Sequence, residues 1–178
     1  MTRFVHRAWI PVLLLLIAFV RGEAASDPYE SLGLMRPAKK TAAREFALPG
    51  PQGSTVRLRD FKGKVIFLNF WATWCPPCLE EMPAMEKLYQ RFKPQGFSVL
   101  ALSVDTDGEK IVTPFLQEHK LTFPVAYDTK MKVAELYQLR ALPTTYLINR
   151  EGQIVAMALG PRAWNGSDAH TFIESLLK

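Results

Sequence analysis

The 178-residue chain has few of the residues that bind metals or cross-link small proteins: two cysteines and three histidines. A structural zinc site needs four ligands, and His6, His119 and His170 have no ligand spacing to the cysteines. The net charge is only +5, and the first 25 residues contribute +2 of it through three arginines and one glutamate. The remainder lacks the basic excess typical of nucleic-acid binding, so no nucleic-acid partner is expected.

Long apolar runs are also scarce, and the longest extends from Ala8 to Val20. Arginines precede and follow it, and Gly22 and Ala24 then satisfy the small-x-small rule of a cleavage site. Residues 1–25 are therefore predicted to be a signal peptide or an N-terminal membrane anchor. The run is short for a span of about 20 residues, which favours cleavage, with a membrane tether through residues 8–20 as the alternative. Either predicts an exported protein, periplasmic or on the outer face of the cytoplasmic membrane.

Residues 26–44 combine two prolines and a glycine with a cluster of basic side chains. This composition predicts a solvated linker, with contact to an anionic membrane surface as a second interpretation. The basic residues are Arg36, Lys39, Lys40 and Arg44.

From residue 45 to 178 the pattern predicts one α/β domain. Two short strand candidates around the turn 49–53 predict an N-terminal β-hairpin. Strands are then predicted near 65–71, 97–104, 123–126, 144–148 and 153–159, with helices near 75–93, 109–119 and 130–137 and a last helix at the C-terminus. Strands that alternate with helices predict a central mixed sheet flanked by helices on both faces.

The only two cysteines lie three positions apart, in Trp74-Cys75-Pro76-Pro77-Cys78. They follow a buried strand and begin a helix, where such a pair can switch between dithiol and disulfide. A purely structural disulfide is the alternative, but a bridge that closes so short a loop stabilises the fold little. The pattern therefore favours redox chemistry without a cofactor other than this disulfide.

The two cysteines are expected to have different roles. Cys75 lies at the helix N-terminus, where the macrodipole favours a thiolate, so it is the predicted nucleophile. Cys78 follows one turn later and is predicted to resolve the mixed disulfide that Cys75 forms. Pro76 and Pro77 fit the first helical turn, and they remove two N–H donors that a thiolate could have used.

These motifs resemble the thioredoxin superfamily, in particular the exported TlpA/ResA-type thiol-disulfide oxidoreductases. The resemblance rests on Asn69-Phe70-Trp71-Ala72-Thr73-Trp74-Cys75-Pro76-Pro77-Cys78, Glu80-Glu81-Met82-Pro83 and Leu142-Pro143-Thr144-Thr145. It extends from about residue 45 to the C-terminus. It implies a thioredoxin fold with a strand-helix insertion.

The resemblance also implies roles for residues outside the cysteine pair. Pro143 is expected to form a cis peptide with Leu142 beside the disulfide, where the backbone can pair with an extended substrate. Thioredoxins proper carry a buried aspartate at the position of Asn69, which cannot act as a base. Glu81 matches a glutamate of the ResA-type branch and is the predicted proton-transfer group. The predicted substrate contacts are Trp74, Pro76, Pro77, Leu142 and Thr144.

The expected function is exchange of electrons with disulfides of exported proteins, most simply as a reductant, for example of apocytochrome c during cytochrome c maturation. A reductant there needs electrons from a membrane thiol donor, which the resemblance also implies. An oxidant or isomerase of exported proteins is the alternative. A thiol peroxidase would need Pro-x-x-x-Ser/Thr-x-x-Cys, whereas Leu68 and Ala72 stand at those positions before Cys75.

Overall fold

The computed structural model describes residues 27–178, which build a six-stranded mixed sheet and a separate two-stranded hairpin. The predicted leader at 1–25 lies outside the described residues. The strands are β1 (Thr41–Ala42), β2 (Ala47–Pro49), β3 (Thr55–Arg57), β4 (Val65–Trp71), β5 (Phe97–Ser103), β6 (Val125–Tyr127), β7 (Thr144–Ile148) and β8 (Gln153–Leu159). The helices are α1 (Pro28–Ser31), α2 (Pro76–Phe92), α3 (Glu109–Glu118), α4 (Lys132–Leu136) and α5 (Ser167–Leu177).

The centre of the sheet consists of strands that are buried along their whole length. The order across the sheet is β1-β8-β7-β4-β5-β6, with β4, β5 and β6 parallel and β7 antiparallel to β4. Every residue of β4, β5 and β7 is buried, because their side chains are mostly apolar and need cover on both faces of the sheet. The predicted mixed sheet and thioredoxin fold are confirmed.

Two antiparallel hairpins complete the strand pattern. The first pairs β2 with β3, as predicted, and the second pairs β7 with β8 through the turn at Gly152. Gly152 has φ +77°, a left-handed conformation that glycine adopts without strain. Between β5 and β7 the chain adds α3, β6 and α4, which extends the sheet by one parallel strand.

The segment predicted as a solvated linker is packed against the domain where the structure describes it. We call residues 27–42 the N-terminal strap. Leu32 and Leu34 are buried in the main core, and the Tyr29 ring packs edge-on against Phe172 of α5 with ring centroids 4.9 Å apart. The strap ends as β1, paired with β8. The linker prediction was wrong for these residues, because a few apolar side chains bury between charged ones that remain exposed.

Within residues 27–178, no helix is both long and apolar enough to cross a bilayer. The predicted membrane tether through residues 8–20 lies outside this range and stays a prediction.

Candidate active site

The cysteine pair lies where β4 ends and α2 begins. Trp71 is the last residue of β4, and three loop residues separate it from Cys75, which is the N-cap residue of α2. The structure joins Cys75 and Cys78 in a disulfide with a Cα–Cα distance of 5.3 Å. Cys75 is 5% exposed and Cys78 is fully buried. Of the two cysteines, only Cys75 therefore has any surface that a partner could reach.

The first turn of α2 has no amide left to stabilise a thiolate. Pro76 and Pro77 have no N–H group, and the next two amides, of Cys78 and Leu79, both donate to the carbonyl of Cys75 at 3.0 and 3.2 Å. No hydrogen bond caps the helix through the Cys75 side chain. In this arrangement a thiolate at Cys75 gains from the helix macrodipole but not from a direct backbone donor.

A buried carboxylate holds the loop that leads into Cys75. Asp105, two residues beyond the end of β5, accepts hydrogen bonds from the Thr73 amide at 3.0 Å, from the Thr73 hydroxyl at 2.7 Å and from the Ser103 hydroxyl at 2.8 Å. The sequence analysis missed this network. The sequence did contain one indication of it, since Asp105 follows a buried strand. Because β4 and β5 run parallel, the residues after β5 lie at the same edge of the sheet as the cysteine loop after β4.

We expect the Asp105→Asn protein to lose about 1–3 kcal/mol of unfolding free energy, the usual result of leaving buried donors unpaired. One amide oxygen cannot accept from all three donors, and its NH₂ group would face a donor. Disulfide exchange should also slow, because the loop before Cys75 is released. Chemical denaturation and an insulin-reduction assay measure both effects.

Asp128 provides a matched control for Asp105. It is equally buried, but among residues 27–178 its side chain accepts from the Ala134 amide alone, at 2.7 Å. An asparagine oxygen can keep that single bond, so Asp128→Asn should cost less stability and leave exchange unchanged. Equal effects of the two substitutions would contradict the assignment of Asp105 to the cysteine loop.

Glu81 is a buried carboxyl on α2, one helical turn after Cys78. Its Oε1 accepts from Asn69 Nδ2 at 2.9 Å, and its Oε2 accepts from Trp164 Nε1 at 3.0 Å and from the Arg162 amide at 3.4 Å. Burial raises the pKa of Glu81 to about 7, although these donors and the Arg162 charge act to lower it. A carboxyl with such a pKa can both accept and release a proton near neutral pH.

Asn69 lies at the centre of β4 and joins Glu81 to the neighbouring strand. Its Nδ2 donates to both Glu81 and the Thr145 hydroxyl, the latter at 3.0 Å. Its Oδ1 is buried and has no hydrogen-bond partner among the described residues. Trp164, which the sequence left as a generic aromatic, is fully packed and donates to Glu81. No local sequence pattern predicts this contact, because Trp164 and Glu81 are 83 positions apart in the chain.

The predicted proline contact also lies at this end of the sheet. The Leu142–Pro143 peptide is cis, and Pro143 is buried. It immediately precedes β7, whose first residue, Thr144, pairs with Phe70 near the end of β4. The topology therefore brings Pro143 to the edge from which the cysteine loop leaves the sheet.

The five predicted substrate contacts differ in exposure. Trp74 is 66% exposed, the most exposed large apolar side chain among the described residues. Pro76 is exposed, and Pro77 and Leu142 are half-buried. Thr144 is buried, and its hydroxyl donates to the Ala141 carbonyl at 2.7 Å, which leaves no exposed side-chain group for a substrate. The Trp74 side therefore offers the accessible apolar surface.

The site contains no arrangement suited to a metal. Over residues 27–178, no three histidine, cysteine or acidic side chains lie close enough together to hold an ion. The groups that the fold brings together at the site are two sulfur atoms, one carboxyl group and the hydrogen-bond donors around it.

Comparisons with known proteins agree with this geometry. The profile of the AhpC/TSA family matches residues 40–157. Thiol-disulfide oxidoreductase ResA of Halalkalibacterium halodurans is 43% identical over 118 residues, which cover 66% of this chain and 66% of that protein. ResA of Oceanobacillus iheyensis is 39% identical over 162 residues, which cover 89% of this chain and 82% of the relative.

Solved structures show the same likeness. A protein from Chlorobium tepidum, assigned as the thiol:disulfide interchange protein DsbE, superposes with a TM-score of 0.73 at 34% identity, over 79% of this chain and 98% of the other. The thioredoxin domain of a thiol-disulfide oxidoreductase from Bacteroides vulgatus gives a TM-score of 0.69 at 28% identity, over 80% and 99% of the two chains.

Proposed function

The chain belongs to the AhpC/TSA family and its redox domain is that of a ResA-type thiol-disulfide oxidoreductase, and we propose that it works as a reductant of disulfides in exported proteins. The observation that supports reduction rather than oxidation of the substrate is the first turn of α2, where no backbone N–H is free to stabilise a Cys75 thiolate. Strong oxidants of this fold owe their potential to a stabilised reduced form. Without those donors the dithiol form is not stabilised, so the pair favours the disulfide form and acts as a reductant of other disulfides.

The reaction can be written with its electrons and protons balanced. The Cys75 thiolate attacks one sulfur of a substrate disulfide, whose S–S bond breaks, and the departing substrate sulfur takes up a proton. Cys78 then loses its proton to Glu81 and attacks the Cys75 sulfur, which breaks the mixed disulfide and forms the Cys75–Cys78 disulfide. The departing substrate thiolate takes the proton back from Glu81 and leaves as the second thiol. The substrate gains two electrons. A thiol donor, which we place at the membrane, must restore the dithiol.

Glu81 is the proposed proton acceptor because its position and ionisation suit the second step. Residues three apart on a helix are neighbours, and the pKa of about 7 gives a substantial fraction of ionised carboxylate at neutral pH. The exposed Trp74, the half-buried Leu142 and the backbone beside the buried Pro143 form the proposed binding surface for an extended substrate segment. Apocytochrome c, which offers a close pair of cysteines, is the proposed substrate.

The reduction potential tests the proposed direction. For a form of the protein that begins at Ser26, we expect equilibration with dithiothreitol to give a value near the roughly −270 mV of thioredoxin. A value near the roughly −120 mV of the oxidant DsbA would overturn the proposal in favour of an oxidant.

Pro77→Ala tests the physical reason for that potential. The amide at the second helical position can donate to the N-cap side chain, so alanine offers the Cys75 thiolate a donor that proline lacks. A hydrogen bond to a charged group contributes roughly 1.5–3 kcal/mol, which corresponds to a potential less negative by roughly 30–60 mV. Pro83→Ala, an exposed proline farther along α2, is the control and should leave the potential unchanged.

A further inference from the structure

The loop between β8 and α5 connects the carboxyl of Glu81 to the N-terminal strap. Two of the three donors to Glu81 come from this loop: the Arg162 amide and Trp164 Nε1, both to Oε2. The third, Asn69, comes from the centre of the sheet. The placement of this loop therefore decides how one side of the Glu81 carboxyl is hydrogen-bonded.

The Arg162 side chain fixes the loop in two directions. Its Nη1 donates to the carbonyls of Pro161 and Gly160 at 2.8 and 3.3 Å, within the loop itself. Its Nη2 donates to the carbonyl of Gly33 in the strap at 3.0 Å. The planar guanidinium can hold both sets of acceptors at once, which a lysine ammonium cannot do with the same fixed geometry.

Gly33 is shaped to receive this guanidinium. Its φ is +58°, a conformation that side chains other than glycine rarely adopt, and an added Cβ would lie 3.4 Å from Arg162 Nε. The Nε atom is itself buried and has no partner among the described residues. The strap is tied down on either side of this point, by Tyr29 donating to the Val155 carbonyl at 3.0 Å and by Met35 pairing with Met157.

We propose that Arg162 is a positioning residue that couples docking of the N-terminal strap to the hydrogen bonding of the Glu81 carboxyl. The strap directly follows the predicted leader in the chain, so it is the segment through which a tethered protein would be held. Docked, it keeps the Arg162 amide and charge beside Glu81. When the strap is displaced, Arg162 loses its bond to Gly33 and is no longer held beside Glu81. The ionised form of Glu81 is then less stable.

Within residues 27–178, Arg162 is the only charged side chain from another element that acts on Glu81. Asn69 from β4 and Trp164 from the β8–α5 loop are neutral donors, and the charge of Arg162 lowers the Glu81 pKa. On its own helix α2, Glu80 is exposed, and Cys78 adds a thiol in the reduced protein. A cleft of about 310 Å³ between α2 and the loop, lined by Glu80, Glu81 and Arg162 among others, opens this region to solvent protons.

Four variants of the full-length protein test the coupling. Arg162→Gln removes the charge and the bond to the strap, and Gly33→Val places methyl groups where the guanidinium lies. Arg150→Gln is the matched arginine control, because Arg150 likewise donates to backbone carbonyls, of Gly63, Gln95 and Leu177. Gly53→Val is the matched glycine control, because Gly53 has φ +69° and open space around its Cβ position.

The measurement is the titration of Glu81 by ¹³C NMR of glutamate-labelled protein, with the signal assigned from its absence in Glu81→Gln. We expect Arg162→Gln to raise the Glu81 pKa by about half a unit or more, below the one to three units of a fully desolvated ion pair because Arg162 is partly exposed. Gly33→Val should shift it in the same direction, and the two controls should not shift it. Arg162→Lys, which keeps the charge, should recover part of the shift.

A shift in the pH profile of disulfide exchange is expected only if Glu81 has its proposed function. The shift in the Glu81 pKa does not depend on that function. If the Glu81 pKa is unchanged in Arg162→Gln or in Gly33→Val, the coupling proposal is wrong, whatever Glu81 does. If the pKa rises while the pH profile of disulfide exchange stays in place, the coupling holds and proton transfer by Glu81 fails. If the Glu81 pKa rises and the pH profile shifts to higher pH with it, while the controls keep parental values, the coupling and proton transfer by Glu81 are both supported. A loss of thermal stability without a pKa shift would show a merely structural role and contradict the proposal.

Discussion

Replacing Cys78 with serine is expected to leave a protein that becomes trapped in mixed disulfides through Cys75, whereas replacing Cys75 with serine is expected to abolish exchange. Cys75 can be reached from solvent and Cys78 cannot, so only Cys75 can open a substrate disulfide. Without Cys75, turnover should fall by roughly 10⁴-fold or more, as in other enzymes that lose a covalent nucleophile. Non-reducing electrophoresis and an insulin-reduction assay measure the two outcomes.

The two serine variants serve as controls for each other. Both lose the same disulfide, which closes a loop of only a few residues and should contribute about 2 kcal/mol by chain entropy. Both should therefore fold with similar stability, and only one should capture partners. Mixed disulfides in the Cys75→Ser protein, or none in the Cys78→Ser protein, would reverse the assignment of nucleophile and resolving residue.

The Glu81→Gln protein is expected to become more stable than the parent as the pH rises. Burial raises the folded-state pKa of Glu81 from 4.5 to about 7, so the folded protein holds this proton more tightly than the unfolded chain. The parent accordingly loses stability between about pH 4.5 and 7, and the loss is complete above pH 7. The shift corresponds to about 3 kcal/mol. Glutamine does not ionise and avoids this loss.

Urea unfolding of both proteins at pH 4 and at pH 8 measures this difference. The unfolding free energy of Glu81→Gln relative to the parent should rise by about 3 kcal/mol between the two pH values. Any fixed cost of placing an NH₂ group among donors cancels in the comparison. Glu80→Gln, an exposed neighbour, should show no such change. A pH-independent difference for Glu81→Gln would mean that the buried carboxyl has an ordinary pKa.

The same variant tests the proton-transfer proposal through its turnover. The rate of disulfide exchange in the parent should rise through pH 7 as Glu81 ionises and becomes able to accept the Cys78 proton. Glu81→Gln should lack this part of the profile. If the Cys78 titration and the turnover of Glu81→Gln match those of the parent, Glu81 has no part in the resolving step.

The strands that form the centre of the fold were predictable because their sequences leave little choice. Val65–Trp71 is a seven-residue apolar run interrupted only by Asn69, and the structure places β4 over those same residues. A run of this kind fits only between two covering layers. The cysteine pair was predictable for a related reason, since adjacency in sequence already determines that Cys75 and Cys78 share the first helical turn.

The surroundings of the pair could not be predicted in the same way. Trp164 and Arg162 reach Glu81 from more than 80 positions away, and Asp105 reaches Thr73 across 32 positions. Such contacts depend on which loops the topology brings to one sheet edge, and no local periodicity encodes that. The prediction for the strap was wrong because local composition was misleading. Its charged and turn-forming residues predict exposure, whereas a few apolar side chains such as Leu32 and Leu34 are buried in the core.

Asn69 determines how many protons the buried site can store. An aspartate at this position would lie within hydrogen-bond distance of Glu81, and the two carboxyls would share protons and titrate in two coupled steps. An amide cannot ionise, so the pair takes up a single proton in one step. The charge of the Asn69–Glu81 pair therefore changes by one proton only, and the change takes place on Glu81.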